Sequence, residues 1–212
     1  MKKLLILLLS AMVVMGMPLQ ARTFEEGVDY SLISLESPNV KPGEPIEVVE
    51  FFMYTCPHCY DFEPIVKAWL SNKPEDIRFE RIPAMFGGAA NLHAKVYYAL
   101  QAIGELERIH EHFFAEIHER KNRLENRQAI LDFMQTQQVD VKKFESAMDS
   151  FAVAVKTNRA ASLMRRYAIR AVPKMVVDGR YRFERGAKQV EMPMLVDFLA
   201  EQVRQERSQE NP

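Results

Sequence analysis

The only two cysteines of the chain fall within one tetrapeptide, Cys56-Pro57-His58-Cys59. Two thiols separated by two residues can close a small disulfide or open to a dithiol, so the chemistry of the chain is concentrated there. The flanks restrict the fold around the pair. Residues 46–52, Ile-Glu-Val-Val-Glu-Phe-Phe, read as a strand that enters the motif. Tyr60 through Leu70 reads as a helix that leaves it. A Cys-x-x-Cys between a strand and a helix is a redox signal. A structural disulfide is the weaker alternative, because so short a loop removes little entropy from the unfolded chain. Zinc is weaker again: a closed structural site takes about four ligands, and the chain has no second cysteine pair. His93, His110, His112 and His118 lie in helix-like stretches with polar neighbours and are expected to be solvated surface side chains.

The start of the chain points to a compartment. Met1-Lys2-Lys3 is a short basic head, and Leu4 to Met17 is apolar apart from Ser10 and Gly16. With Ala21 as the last residue before cleavage, and Leu19 a tolerable residue two places earlier, residues 1–21 have the outline of a signal peptide. A membrane anchor is the other reading, but the apolar run falls short of the ~20 residues needed to span a bilayer. No cysteine follows the run directly to carry a lipid. Export agrees with the cysteine usage, since disulfides form and persist in oxidising compartments. Cleavage would leave 191 residues, with 26 basic side chains against 29 acidic ones and a formal charge of −3. That mild acidity argues against nucleic acid as a partner, because such proteins usually carry a basic footprint.

The length suits one domain with a large insertion. Tyr30 to Leu35 has the pattern of a short edge strand, and Pro38, Pro42, Gly43 and Pro45 mark a loop. A second strand is expected over Glu75 to Ile82, where Ile77 and Phe79 alternate with Arg78 and Glu80. Pro83 to Asn91 is a glycine-containing connection. Residues 91–168 then carry helical stripes: Leu92, Val96, Leu100 and Ile103; Ile109, Phe113 and Ile117; Ile130, Phe133 and Met134; Ala160, Leu163, Met164 and Tyr167. With Asn126 and Asp140 as N-caps, this predicts four or five helices whose Met and Phe residues are core. Strand signals return after Pro173. Met175-Val176-Val177 leads into Asp178-Gly179, a two-residue hairpin turn, and Tyr181 and Phe183 alternate with Arg180 and Arg182 on the return. A last helix begins near Pro193 and buries Leu195, Phe198, Leu199 and Val203. The polar tail from Arg207 is expected to fray.

This α/β order resembles a thioredoxin-like fold with a large all-helical insertion between the βαβ unit and the C-terminal β-hairpin–helix. The chain is similar to the DsbA family of periplasmic thiol:disulfide oxidoreductases. Glu-Phe-Phe at 50–52, the Cys-Pro-His-Cys-Tyr run, Phe-Gly-Gly at 86–88 and the Val-Pro at 172–173 before a strand carry the likeness. It covers essentially everything after residue 21. It divides the chain into an N-terminal part of the thioredoxin-like domain at 22–88, a helical insertion at 89–168, a C-terminal part at 169–206 and a tail at 207–212. The resemblance implies a protein dithiol:disulfide oxidoreductase working in the oxidase direction, without cofactor or metal. Its implied partners are unfolded exported polypeptides with free cysteines and a DsbB-like quinone-linked membrane oxidase; it is expected to be a monomer. A reductase or isomerase is the alternative within redox chemistry, although isomerases of this fold usually add a dimerisation domain that the sequence does not show. The alternative of another class is a chaperone that holds unfolded chains without redox turnover, an activity that would survive alkylation of both cysteines.

The residues support the same chemistry. Cys56 falls at a helix start, where its sulfur meets the free N–H groups of the first turn, notably that of Cys59, and the positive end of the helix dipole. Pro57 suits the first helical position because it has no N–H to satisfy. His58 adds a donor and a positive charge. Each effect favours the Cys56 thiolate. Cys59, one turn in, is expected to be buried, less acidic and the resolving thiol. Stabilising the thiolate stabilises only the reduced form, which leaves the disulfide as the high-energy state. The resemblance further implies a cis Val172–Pro173 bond beside the cysteines, with the Val172 backbone free to pair with an extended substrate; an ordinary trans proline opening an edge strand is the other reading. If Glu50 shares a strand face with Val48 and Phe52, its carboxylate should point into apolar surroundings behind the cysteines. Its pKa should rise there, and it is placed to shuttle a proton to or from Cys59. A solvated edge-strand glutamate is the alternative. Family members often set a lysine on the second strand near this acid, and alignment through Phe-Gly-Gly puts Glu80 at that position, with Arg78 and Arg81 nearby.

Overall fold

Residues 22–33, 43–186 and 188–209 are described by a computed structural model. The expected signal peptide at 1–21, Leu35 of the first strand, Pro38 and Pro42 of the loop, and the last three residues of the tail lie outside them. The described elements run β1 (Tyr30–Leu32), β2 (Ile46–Phe52), α1 (Pro57–Leu70), β3 (Ile77–Pro83), α2 (Gly88–Ile103), α3 (Leu106–His118), α4 (Arg127–Thr136), α5 (Val141–Met148), α6 (Phe151–Arg166), β4 (Lys174–Val177), β5 (Tyr181–Phe183) and α7 (Met192–Gln209), with a 3-10 turn at Gln189–Glu191 before α7.

The strands form one sheet in the order β1-β5-β4-β2-β3. β2 and β3 are parallel, joined by α1, while β4 is antiparallel to β2 and β5. β2 is therefore central and covered on both faces, which explains why its seven residues are apolar apart from Glu47 and Glu50. Ile46 and Val48 pack with Phe62 and Val66 of α1 and Leu195, Leu199 and Val203 of α7. Val49, Phe51 and Phe52 join the opposite core, which also holds Cys56, Cys59 and the inward faces of α2 to α6. The cysteine pair thus sits where the sheet meets the helical insertion.

The insertion consists of five helices, and its ends are fixed locally. The side chains of Asn126, Asp140 and Ser150 accept from the backbone N–H of Ala129, Lys143 and Val153 at 2.9, 3.0 and 3.2 Å. Gly104, at φ 78°, terminates α2 in the left-handed conformation. In the hairpin, Asp178 and Gly179 have φ of 54° and 65°, and the Arg180 N–H closes the turn on the Val177 carbonyl at 3.0 Å. Pairing resumes with Val177 opposite Tyr181, so Arg180 is an extra residue beyond the expected two-residue loop.

Two expectations are corrected. The chain does not fray from Arg207: α7 continues to Gln209. Arg207 donates to Asp178 Oδ1 and to the Glu44 carbonyl, both at 2.7 Å, which ties the helix end to the hairpin turn. The histidines are not all solvated. His93 is 1% and His110 6% exposed. His93 precedes Val96 and Tyr97 by three and four residues, and His110 precedes Phe113 and Phe114 by the same steps, so both lie on inward helix faces. The His93 Nε2–H is satisfied by the Leu124 carbonyl at 2.9 Å. His112 is exposed as expected, and His118 is half-buried.

Candidate active site

Cys56 is the N-cap of α1 and Pro57 opens its first turn. The Cys56 carbonyl accepts from the N–H groups of Cys59 and Tyr60, both at 3.1 Å, and the Cys56 N–H donates to the Met53 carbonyl at 3.0 Å. Both cysteines are free thiols here. Cys59 is fully buried, Cys56 is 9% exposed, and Pro57 and His58 are exposed. Across the site, the Cys56 Sγ points at the Val172 carbonyl 3.6 Å away, and the Val172–Pro173 bond is cis. Residues far apart in sequence therefore share one surface. Gln189 adds a tie that the sequence did not signal, donating through Nε2 to the His58 carbonyl at 2.7 Å.

The two thiols differ sharply. Hydrogen bonding from the Cys59 thiol lowers the Cys56 pKa from 9.0 to about 6; burial opposes this, and the N–H groups of Cys59 and His58 and the charge of His58 assist. The leading contributor is thus the neighbouring thiol, with the His58 charge the smallest of the named causes. The same arrangement pushes Cys59 far up, through burial first, then its hydrogen bond to Cys56 and the Cys56 charge.

Behind Cys59 lies a buried charge network. Glu50 is wholly buried, and burial raises its pKa from 4.5 to about 8, with Arg81 pulling it down and Glu63 pushing it up. Its Oε1 has no hydrogen-bond partner among the described residues. The register of β2 against β3 sets Glu50 opposite Arg81, whose Nε donates to Glu50 at 3.2 Å while its other nitrogen donates to Glu63 at 3.0 Å. The basic partner is therefore Arg81. Glu80, which the motif alignment puts at this position, points away and pairs with Arg159, because neighbouring strand residues face opposite sides. Glu63 also meets His110 Nε2 at 3.3 Å, and His110 Nδ1 lies 2.7 Å from the Tyr54 hydroxyl. Burial opposes charge on Glu63, but the hydrogen bond and charge of His110 and the charges of Arg81 and Lys67 hold its pKa below the ordinary 4.5. Glu63 also lines an open groove of about 710 Å³ between α1 and α3, with Tyr60, Lys67, Glu111 and Phe114. The network thus extends from behind the cysteines toward solvent.

Sequence reasoning placed Arg81 only in the neighbourhood of Glu50, and missed Glu63, His110 and Tyr54 as members of this network. Glu63 had a signal, four residues after Cys59 on the same helix face. Among the described residues, no group of three or more His, Cys, Asp or Glu is placed to hold a metal ion. No helix among them is long and apolar enough to cross a membrane.

Comparison with known proteins bears on most of the chain. The DSBA-like thioredoxin domain family matches residues 73–200. The Thiol:disulfide interchange protein DsbA of Pseudomonas aeruginosa is 38% identical over 204 residues, covering 93% of this chain and 96% of that protein. That alignment omits too few residues to miss the cysteine pair. The protein of the same name from Burkholderia cepacia is 39% identical over 184 residues, 85% of this chain and 86% of its own. The crystal structure of Pseudomonas aeruginosa DsbA superposes with a TM-score of 0.81 at 37% identity, covering 87% of this chain and 97% of that one.

Proposed function

Because the chain belongs to the DSBA-like thioredoxin domain family, we propose that it oxidises cysteine pairs in exported, unfolded polypeptides by giving up a Cys56–Cys59 disulfide. It is a protein thiol:disulfide oxidoreductase. The observation that carries the oxidase direction is the thiol at the α1 N-cap, with its pKa lowered to about 6, facing the Val172 carbonyl.

Cys56 is the sulfur attacked by a substrate thiolate. The Cys56–Cys59 bond breaks, and Cys59 leaves with the electron pair. A thiol whose pKa is raised is a poor anionic leaving group, so a proton delivered to it lowers the barrier. Glu50, raised to about 8, holds that proton near neutrality and is the shuttle. A second substrate thiolate attacks the substrate sulfur of the mixed disulfide. Cys56 departs as a stable thiolate, and the two electrons remain with the protein as its dithiol. The Val172 backbone pairs with the substrate strand, and Pro173 holds that loop against the cysteines. Reoxidation falls to a DsbB-like quinone-linked membrane oxidase. The protein works as a periplasmic monomer after loss of residues 1–21. Similarity to the DsbA proteins and the pattern of the first 21 residues support these last points.

The thiolate sets the direction. A pKa lowered from 9.0 to about 6 stabilises the reduced form in full above pH 9, and that gain is lost as pH falls through the folded pKa. At pH 7 about one unit of the shift is realised, worth about 1.4 kcal/mol or 30 mV in a two-electron couple. The test is an absorbance titration of the thiolate in the reduced protein. The expected midpoint is about 6, moved upward slightly by His58→Ser and further by Cys59→Ala, following the order of causes. A wild-type midpoint near the ordinary thiol value would contradict the proposal.

A further inference from the structure

The surface beside Val172 carries charge that the disulfide chemistry does not use. From Arg165 to Lys188 the chain holds eight basic residues against two acids, Asp178 and Glu184, within a sequence of formal net charge −1. The fold gathers four of these cations, Arg170, Lys174, Arg182 and Arg185, around an open basin of about 560 Å³ that also includes Ala171 and Glu184. Arg170, Ala171 and Lys174 flank Val172–Pro173, and the Val172 carbonyl lies 3.6 Å from Cys56 Sγ.

Two of the four cations are engaged within the fold. Arg182 donates to Glu184 at 2.6 Å and to the Tyr167 carbonyl at 3.1 Å. Lys174 donates to the Phe183 carbonyl at 2.6 Å and lies 3.9 Å from Glu184. Arg170 and Arg185 are exposed, and the ion pairs of this region among the described residues, Lys174–Glu184 and Arg182–Glu184, include neither. The helix dipole accounts for Arg165 and Arg166 in the last turn of α6. It does not account for Arg170 and Arg185, which lie outside any helix.

We infer that this basin is a specificity site for acidic side chains of the substrate polypeptide, taking an Asp or Glu a few residues from the cysteine under attack. The inference rests on the oxidase reading above. An extended chain advances about 3.3–3.6 Å per residue, so a substrate strand running along Val172 from Cys56 reaches Arg170 or Lys174 within about two to four residues. A carboxylate there meets four cations offset by the single charge of Glu184. Such complementarity acts on encounter and is screened by salt.

The test uses the oxidised protein and three peptides, each with one cysteine pair, identical except for Glu, Gln or Lys about three residues from the first cysteine. At low ionic strength the oxidation rates should fall in the order Glu, Gln, Lys, with about a tenfold spread that collapses near 0.5 M salt. In Arg170→Glu/Arg185→Glu the order should reverse while the Gln peptide reacts as before. Arg170→Gln/Arg185→Gln, a milder change, should lose the preference without reversing it. Equal rates for the three peptides at low salt, or an order that survives in both variants, would overturn the inference and leave the oxidase reading intact. Failure to oxidise any peptide, the Gln peptide included, would remove the oxidase reading and the inference together. Equal peptide rates with wild-type, but not variant, protein binding to anionic phospholipid vesicles would assign the basin to a membrane surface and overturn the inference.

Discussion

Cys56→Ala abolishes disulfide exchange, whereas Cys59→Ala leaves a protein whose Cys56 thiolate attacks the disulfide of an oxidised substrate, releases one substrate thiolate and accumulates as the mixed disulfide. The difference follows from position. Cys56 caps α1 at the surface beside Val172, with its thiolate favoured near neutral pH. Cys59 is fully buried, and its surroundings disfavour its thiolate. Without Cys56 no accessible thiol remains, because the chain has only these two. Without Cys59 the sulfur that resolves a stalled adduct is missing, so adducts on Cys56 persist. Alkylation of the wild-type dithiol followed by peptide mass analysis tests the order independently. Label entering first at Cys59 would reverse the assigned roles.

Arg81→Met is expected to cost about 3 kcal/mol of stability. Arg81 is the shared partner of Glu50 and Glu63 at 3.2 and 3.0 Å, and its side chain is only 15% exposed. Removing one partner from a buried ion pair typically costs about 3–5 kcal/mol, because a charge is left uncompensated. The lower end applies, since Glu50 can remain protonated and Glu63 keeps His110. About 3 kcal/mol corresponds to a loss of roughly 1–3 M in the urea midpoint. The pH dependence has a definite sign. Glu63 has a depressed pKa, so its contribution is present above the ordinary value of 4.5 and is lost as pH falls through the folded pKa. The gap between wild type and Arg81→Met should therefore narrow in acid. Urea unfolding at pH 7 and pH 4 reads both quantities. A gap under about 1 kcal/mol at pH 7 would mean that the network does not hold the carboxylates as described.

The contrast between these two sites shows what the sequence made legible. The Cys56 environment is local: a strand, a cap, a proline at the first helical position and a histidine are read in consecutive residues, and the N-caps Asn126 and Asp140 are legible for the same reason. The strand at 46–52 was equally plain, because a central strand is apolar on both faces. The charge network is not local. Arg81 faces Glu50 only through the register of two parallel strands, and a shift of one residue would have put Glu80 there instead. His110 enters from α3, so no spacing in the chain announces its contact with Glu63 or Tyr54. The inward faces of His93 and His110 were available from their three- and four-residue spacing to apolar partners, but polar neighbours masked them. Arg207 looked like tail because its acceptors, Asp178 and the Glu44 carbonyl, come from the opposite end of the sheet sequence. The Val172 contact with Cys56 also spans the whole insertion, and it was anticipated only through the family likeness.

The equilibrium of the Cys56–Cys59 pair against a glutathione redox buffer at pH 7 tests the central claim most directly. A disulfide destabilised by a thiolate-favouring reduced state should be driven to the dithiol by small amounts of reduced glutathione. Similarity to the DsbA proteins leads to a predicted potential more oxidising than about −180 mV, the level of protein disulfide isomerase, with the Cys56 thiolate supplying about 30 mV of it at pH 7. A potential near about −270 mV, that of thioredoxin, would mark the chain as a reductase and contradict the account.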